Sequence, residues 1–281
     1  MKNSKLIFNS EKHKYTYERR TLMSVTKYIS SKFPEFNGEA ISPYTAKACS
    51  NEIKQWDKEQ DLLEECFPKC IKLFGDSWKD EVHERKMRKT QKVTAKEVLT
   101  LWEHKGHVAR EEGTRVHELI EQALLKNIDF IEYIDEPYVV AAVNYVDRAR
   151  NLLGYGSSLH PELRIVGARE GGAVEIPLAG TIDLVIDSGE GVWLVDWKTN
   201  DDIHKDGYNK GNTEATANIT DSALTKYTIQ LSLYAYLLEK FYDKKIDKLV
   251  IGWLNDNVVK PITVDYNKDL VEEMLREDGY I

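Results

Sequence analysis

The sequence is short of cysteine, of long apolar runs and of excess positive charge, and each shortage removes a class of protein. Only three cysteines occur among 281 residues: Cys49, Cys66 and Cys70. An odd number with no Cys-x-x-Cys pair excludes a disulfide-stapled framework and leaves reduced thiols as the expectation. Cys66 and Cys70 share a helix face at i, i+4 spacing, but two thiols alone make a poor metal site and buried structural cysteines are the simpler reading. The cysteine quartet that an iron–sulfur cluster requires is missing, so no such cluster is expected. No segment approaches the roughly 18 to 20 consecutive apolar residues of a membrane span, and the polar opening MKNSKLIFNSEKHKYTY lacks the apolar core of a signal peptide. These absences point to a cytoplasmic protein with no membrane partner. The formal net charge of −8 argues against a chain that coats nucleic acid by charge alone, so any such contact must be local. The P-loop pattern Gly-Lys-Ser/Thr is absent as well, which removes a nucleotide-driven motor.

What is present divides into a helical half and a strand-rich half. The opening residues alternate like a short hairpin, and Ser24 fits the N-cap of a helix through VTKYISSKF. Residues 42 to 126 carry apolar side chains at helical spacing: Ile53, Trp56, Leu62 and Leu63, then Val98, Leu101, Trp102 and Val108. Within them lies an acid-free run with Arg85, Lys86, Arg88, Lys89, Lys92 and Lys96, which is either a solvated helix surface or a strip for phosphate. A further helix is expected from Glu136 to Leu153, opened by a proline and closed by Gly154. From Leu159 the pattern turns to strands punctuated by glycine. A polar segment, residues 201 to 221, reads as a long mobile loop. The helix ALTKYTIQLSLYAYLLEKFY follows it, then the strands KLVIGWL and VVKPITV and a short charged helix.

The segment GTIDLVIDSGEGVWLVDWKTN holds the most specific chemistry. A turn over Ser188 to Gly191, with Gly189 in its first central position, pairs the flanking strands so that Asp183 faces Asp196. An odd-length loop would dissolve that pairing. Ile182, Leu184, Ile186, Trp193, Val195 and Trp197 then share one apolar face. Asp183, Val185, Leu194, Asp196 and Lys198 share the other, which a purely structural acid–acid–base cluster would leave half-exposed. Opposed side chains there sit with Cβ atoms about 4.5 to 5.5 Å apart, so the two carboxylates need a compensating cation. Lys198 is one; a divalent metal held by hard oxygen ligands is the other, with Lys198 beside it to orient water or stabilise charge on a phosphate.

Taken in order, the blocks WEHKGHVAREEGTRVHELIE, HPELRIV, AGTIDLV, LVDWKT and QLSLYAYLLE resemble the PD-(D/E)xK nuclease superfamily. The likeness is to its RecB-like exonuclease branch, which includes mitochondrial genome maintenance exonucleases and many phage proteins. The resemblance implies an α/β, restriction-endonuclease-like core with a mixed central sheet flanked by helices. That core is expected over residues 101–281, with an N-terminal hairpin and helical lobe over 1–100 bordering the DNA path. It implies Mg²⁺, with Mn²⁺ able to substitute, held by Asp183, Asp196, His117, Glu162 and the Trp197 carbonyl. Lys198 would serve catalysis, with Glu121 and Thr199 supporting the site from behind. Gln230 and Tyr234, i and i+4 on one helix, would grip the DNA backbone together with Arg85, Lys86, Arg88, Lys89 and Lys92. The implied activity is a metal-dependent DNA exonuclease of recombination, repair or DNA degradation, acting on single-stranded or duplex ends. A single-strand annealing or binding protein would be its partner, and a phage origin would place it in the host cytoplasm. The alternatives are a structure-specific endonuclease of the same fold and a catalytically silent DNA-binding protein.

Overall fold

A computed structural model describes residues 5–9, 12, 14–58, 67–90, 92–126, 133, 135–154, 156–205, 207 and 209–281, with only the backbone at 57 and 58. Cys66, Leu62 and Leu63 lie outside the described residues. The strands are β1 (Leu6–Asn9), β2 (Lys14–Tyr17), β3 (Arg20–Ser24), β4 (Ser158–Gly167), β5 (Ile176–Asp187), β6 (Val192–Lys198), β7 (Ile246–Asn255) and β8 (Val258–Val264). The helices are α1 (Val25–Ser31), α2 (Gly38–Lys58), α3 (Pro68–Phe74), α4 (Trp78–Met87), α5 (Ala95–Lys126), α6 (Pro137–Leu153), α7 (Ala223–Tyr242) and α8 (Lys268–Glu277).

One mixed sheet of eight strands organises the chain, in the order β1-β2-β3-β5-β6-β7-β8, with β4 paired to the other side of β5. Strand β5 is the hub. Near its start it pairs in parallel with β3, and near its end antiparallel with β6. The β6–β7 pair is parallel, and α7 supplies the crossover that such a pair requires. Sequence accounts for several boundaries. Ser24 caps α1 by accepting a hydrogen bond from the Lys27 amide, and Ser222 caps α7 through the Thr225 amide. Pro137 opens α6 and Gly154 ends it. Ser188 to Gly191 form the expected turn, with Gly189 at φ +87°, a conformation that glycine adopts without cost.

The chain divides into two compact units, Met1–Pro34 with Gly113–Ile281, and Glu35–Glu112. The boundary expected at residue 100 therefore needs correcting at both ends. The N-terminal hairpin belongs to the core because β3 hydrogen-bonds to β5 through Met23↔Leu178 and Ser24↔Ala179. In the helical unit, Ala46, Cys49, Ile53, Phe67, Cys70, Leu73, Trp78, Val82 and Val98 bury a core of their own. There Cys70 faces Cys49, with sulfurs 2.8 Å apart. The Cys49 sulfur and burial push the Cys70 thiol far above its ordinary pKa. The partner of Cys70 on α2 is set by helix packing that spacing alone does not encode, and the expected face-sharing with Cys66 falls outside the described residues.

The sheet of the larger unit is covered on both faces. Val185, Leu194, Leu249 and Ile251 pack with α1, α7 and α8 residues such as Tyr28, Leu231 and Met274. Leu184, Ile186, Val195, Trp197 and Val250 pack with Val116, Ile120, Val139 and Val146 of α5 and α6. The face carrying the acids is therefore covered, with Asp196 buried and Asp183 and Lys198 only partly exposed, where a half-exposed sheet had been the alternative. Ile182 also departs from expectation, since it packs with Val185 and Leu194 rather than with Leu184 and Ile186. Across the ladder, Pro161↔Leu184 and Leu163↔Ile182 keep one register, and Glu162 between them has φ +47°, a conformation uncommon for a residue other than glycine.

Among the described residues of 201–221, several are tied to the core, where a mobile loop had been expected. Ile203 and Thr216 are fully buried, the Asn212 amide and the Thr216 hydroxyl both donate to the Lys32 carbonyl, and the Glu214 amide donates to Glu277. Its polar residues satisfy backbone groups, which periodicity does not register.

Candidate metal centre and catalytic cluster

The β5–β6 hairpin presents the two acids. Its register pairs Leu184 with Val195 and Val185 with Leu194, and the recorded pairing ends there, with Asp183 and Asp196 the next residue on each strand. The close approach is visible in the Trp197 amide, which donates to Asp183 Oδ2 across 2.7 Å. From α5, His117 brings Nδ1 to 3.5 Å from the same oxygen. Glu162 enters from within β4, not from a strand start. His117, Glu162 and Asp183 each offer a ligand atom, all within 4.8 Å of one another. An imidazole nitrogen and two carboxylates are a donor set that can hold a divalent cation.

Asp196 lies deeper, with no exposed surface. Gln230 Nε2 on α7 donates to its Oδ1 at 2.9 Å, and Lys198 Nζ stands 2.6 Å from its Oδ2 as an ion partner. That Oδ2 is buried yet accepts no hydrogen bond of good geometry. The Lys198 ammonium is the partner of that oxygen, so the carboxylate is held from both sides. Burial pushes the Asp196 carboxyl up to about 6, with Lys198 opposing and Asp183 adding to the rise. Burial also pushes Glu162 up to about 8, reinforced by the charges of Asp183 and Glu121. Burial lowers the Lys198 pKa, and Asp196 and Asp183 more than reverse that, leaving it raised. The cluster thus holds more acid than its one ammonium can neutralise. Carboxyl groups kept partly protonated by one another are the state that a divalent cation relieves.

Helix α7 determines how the acids are held. Tyr234, 2% exposed, lies against β5 at Gly180, where a Cβ would stand 2.5 Å from its Cε1 and 2.9 Å from its hydroxyl. Only glycine leaves room there. Gln230 and Tyr234 were expected to grip the DNA backbone; instead Gln230 spends its amide on Asp196, and Tyr234 is enclosed, its hydroxyl pushed well above the usual phenol range by burial. Both are turned inward because the helix face they share is the one packed on the sheet. Thr199 follows β6 beside α5, its Oγ1 3.4 Å from where a Cβ on Gly113 would sit.

Other residues near the cluster carried no signal in the sequence. The Lys198 ammonium sits 4.7 Å above the Tyr227 ring, and the Tyr227 hydroxyl donates to Asn200 Oδ1. The Tyr15 hydroxyl shares a 2.8 Å hydrogen bond with Thr181 Oγ1. Tyr15 is remote in sequence, and nothing short of the β3–β5 pairing would have located it.

The basic run of the helical unit is not uniformly available. Arg85 is buried and forms ion pairs with Glu81 and Glu97 while donating to the Lys92 carbonyl. It serves the fold of its own unit, which corrects its assignment as a DNA contact. Arg88 pairs with Glu84; Lys86, Lys89 and Lys92 are exposed.

Residues 87–274 match the model of the PD-(D/E)XK nuclease superfamily. No curated protein matches the chain by sequence. One solved structure, described as SSO0001, is 12% identical over 57% of this chain and 74% of its own, with a TM-score of 0.27, a likeness too slight to build on.

Proposed function

We propose that this chain, which belongs to the PD-(D/E)XK nuclease superfamily and is thereby a metal-dependent nuclease, is an exonuclease that hydrolyses DNA from its ends. The observation that carries the metal site is the convergence of His117, Glu162 and Asp183 within 4.8 Å, beside the buried Asp196 carboxylate. These residues would hold Mg²⁺, with Mn²⁺ as a substitute, and the Trp197 carbonyl would add a further oxygen. A bound divalent ion supplies Lewis acidity toward a phosphate oxygen and lowers the pKa of water.

The chain's own groups do the rest. Asp183 and Asp196 orient through rigid strands, with the Trp197 amide and the Gln230 amide fixing one oxygen of each. Lys198, ion-paired with Asp196 and lying over Tyr227, stays protonated and positioned to hold water or offset charge on the phosphate. Exonuclease action is supported by the order of motifs between residues 102 and 240, which resembles the exonuclease branch. Recombination, repair or degradation of DNA is the setting that such an activity serves, with a single-strand annealing or binding protein as the partner for its product.

The deciding experiment incubates the protein with end-labelled linear DNA and with circular single-stranded DNA in Mg²⁺. Nucleotide release from linear ends alone, abolished by chelation and by Lys198→Ala, is expected. Cutting of the circle would establish the endonuclease instead, and no cleavage of either substrate would leave a silent binding protein.

A further inference from the structure

Arg164 stands two residues beyond Glu162 in β4 and pairs with Thr181 of β5. It is exposed, and among the described residues its guanidinium meets no acid; its one partner is the ring of Phe8, whose centroid lies 5.5 Å away. Phe8 in turn stacks on Tyr15, with ring centroids 4.5 Å apart and planes inclined by 29°. The Tyr15 hydroxyl closes the circuit on Thr181, the residue that Arg164 faces. The guanidinium thus neighbours a stacked pair of rings that links the N-terminal hairpin to the strands bearing Glu162 and Asp183.

This arrangement is costly for a surface arginine that does nothing. Ordering a long side chain forfeits rotamer freedom, and a ring offers the guanidinium's N–H donors no conventional acceptor. Arg164 stands two residues from Glu162 in β4 and faces Thr181, two residues before Asp183 in β5. It is therefore within electrostatic reach of the acid cluster without contacting it. A cation placed only to neutralise those acids would form an ion pair with them. A preorganised, unpaired guanidinium at the rim of an acid cluster instead suits a bidentate anion delivered with the substrate.

Building on the nuclease reading, we propose that Arg164, braced by Phe8 and Tyr15, binds the DNA phosphate next to the scissile one. The hairpin then has a role in substrate binding that its place in the fold does not require. Because the acids repel the DNA strand, a fixed positive group beside them sets which linkage can approach the metal ligands.

The test measures binding of a labelled single-stranded oligodeoxynucleotide in chelator, where no cleavage occurs, across a range of salt concentrations. Arg164→Gln is expected to weaken binding about tenfold and to reduce the slope of log affinity against log salt by about 1. Arg164→Lys retains the slope and recovers only part of the affinity. Phe8→Leu, which frees the arm but keeps the charge, weakens binding with the slope unchanged. A neutral methylphosphonate at the linkage adjoining the terminal one weakens binding by wild type but not by Arg164→Gln. Equal affinity and slope for wild type and Arg164→Gln, or an equal methylphosphonate effect in both, would overturn the assignment. If wild type cleaves DNA with Mg²⁺ while Arg164→Gln binds normally, the phosphate contact alone fails. If Arg164→Gln binds weakly but wild type never cleaves, the nuclease reading alone fails.

Discussion

Gln230 on α7 donates its side-chain amide to Asp196 Oδ1 on β6 across 2.9 Å, in a place where neither residue meets bulk water. A neutral amide thereby fixes one oxygen of a buried acid and leaves the other to Lys198. Replacing Gln230 with Leu strands that oxygen. A buried acceptor left without its donor costs about 1–3 kcal/mol, so denaturant midpoints should fall accordingly. Mg²⁺ should also stabilise the variant less than the wild type, because Asp196 is no longer held in one orientation.

Lys198→Met removes the cation beside Asp196. Breaking a buried ion pair from one side costs about 3–5 kcal/mol, and cleavage should be lost. Adding Asp196→Asn removes the uncompensated charge, so the double variant is expected to regain much of the stability while staying inactive. Additive losses in urea titrations of the two single variants and the double would show that the pair is not coupled.

The metal-free protein should lose stability as pH rises. Glu162 has its folded pKa raised from the ordinary 4.5 to about 8, and Asp196 from 3.8 to about 6. A raised carboxyl contributes fully below its unfolded value, and that contribution is lost as pH climbs through the folded one. Melting temperatures in chelator should therefore decline between about pH 4 and pH 8. Excess Mg²⁺ should flatten the decline by stabilising the ionised acids, and Glu162→Gln should remove its upper part. A flat chelator profile in wild type would contradict the crowding of acids described above.

Gly180→Ala places a Cβ 2.5 Å from Tyr234 Cε1. Overpacking of this kind costs about 1–3 kcal/mol. Since Tyr234 packs against the helix turn that carries Gln230, activity should fall more than stability. A second substitution, Tyr234→Leu, should restore folding, measured by thermal melting, if the clash is the cause.

Local chemistry made much of this molecule legible in advance. Ser24, Ser222, Pro137 and Gly154 mark helix ends because capping and φ restriction act within a few residues. The turn at Gly189 determines the β5–β6 register as far as Leu184↔Val195, because a hairpin's pairing follows from its loop. What escaped the sequence depended on contacts distant along the chain. Residues 1–34 read as part of an N-terminal lobe, since nothing local announces that β3 will pair with β5. Arg85 read as an available cation, since its acids, Glu81 and Glu97, are assigned by the folding of its own unit.

The sequence by itself thus determined the element types, the hairpin and the identity of the acids, all consequences of short-range periodicity and turn geometry. Only the tertiary structure decided which acids share a metal-sized space and which are buried behind them. His117, Glu162 and Asp183 converge from three separate elements, while Asp196 withdraws to Gln230 and Lys198. The reason is physical: both faces of the sheet are covered, and burial, with the charges it brings together, cannot be read from any one segment.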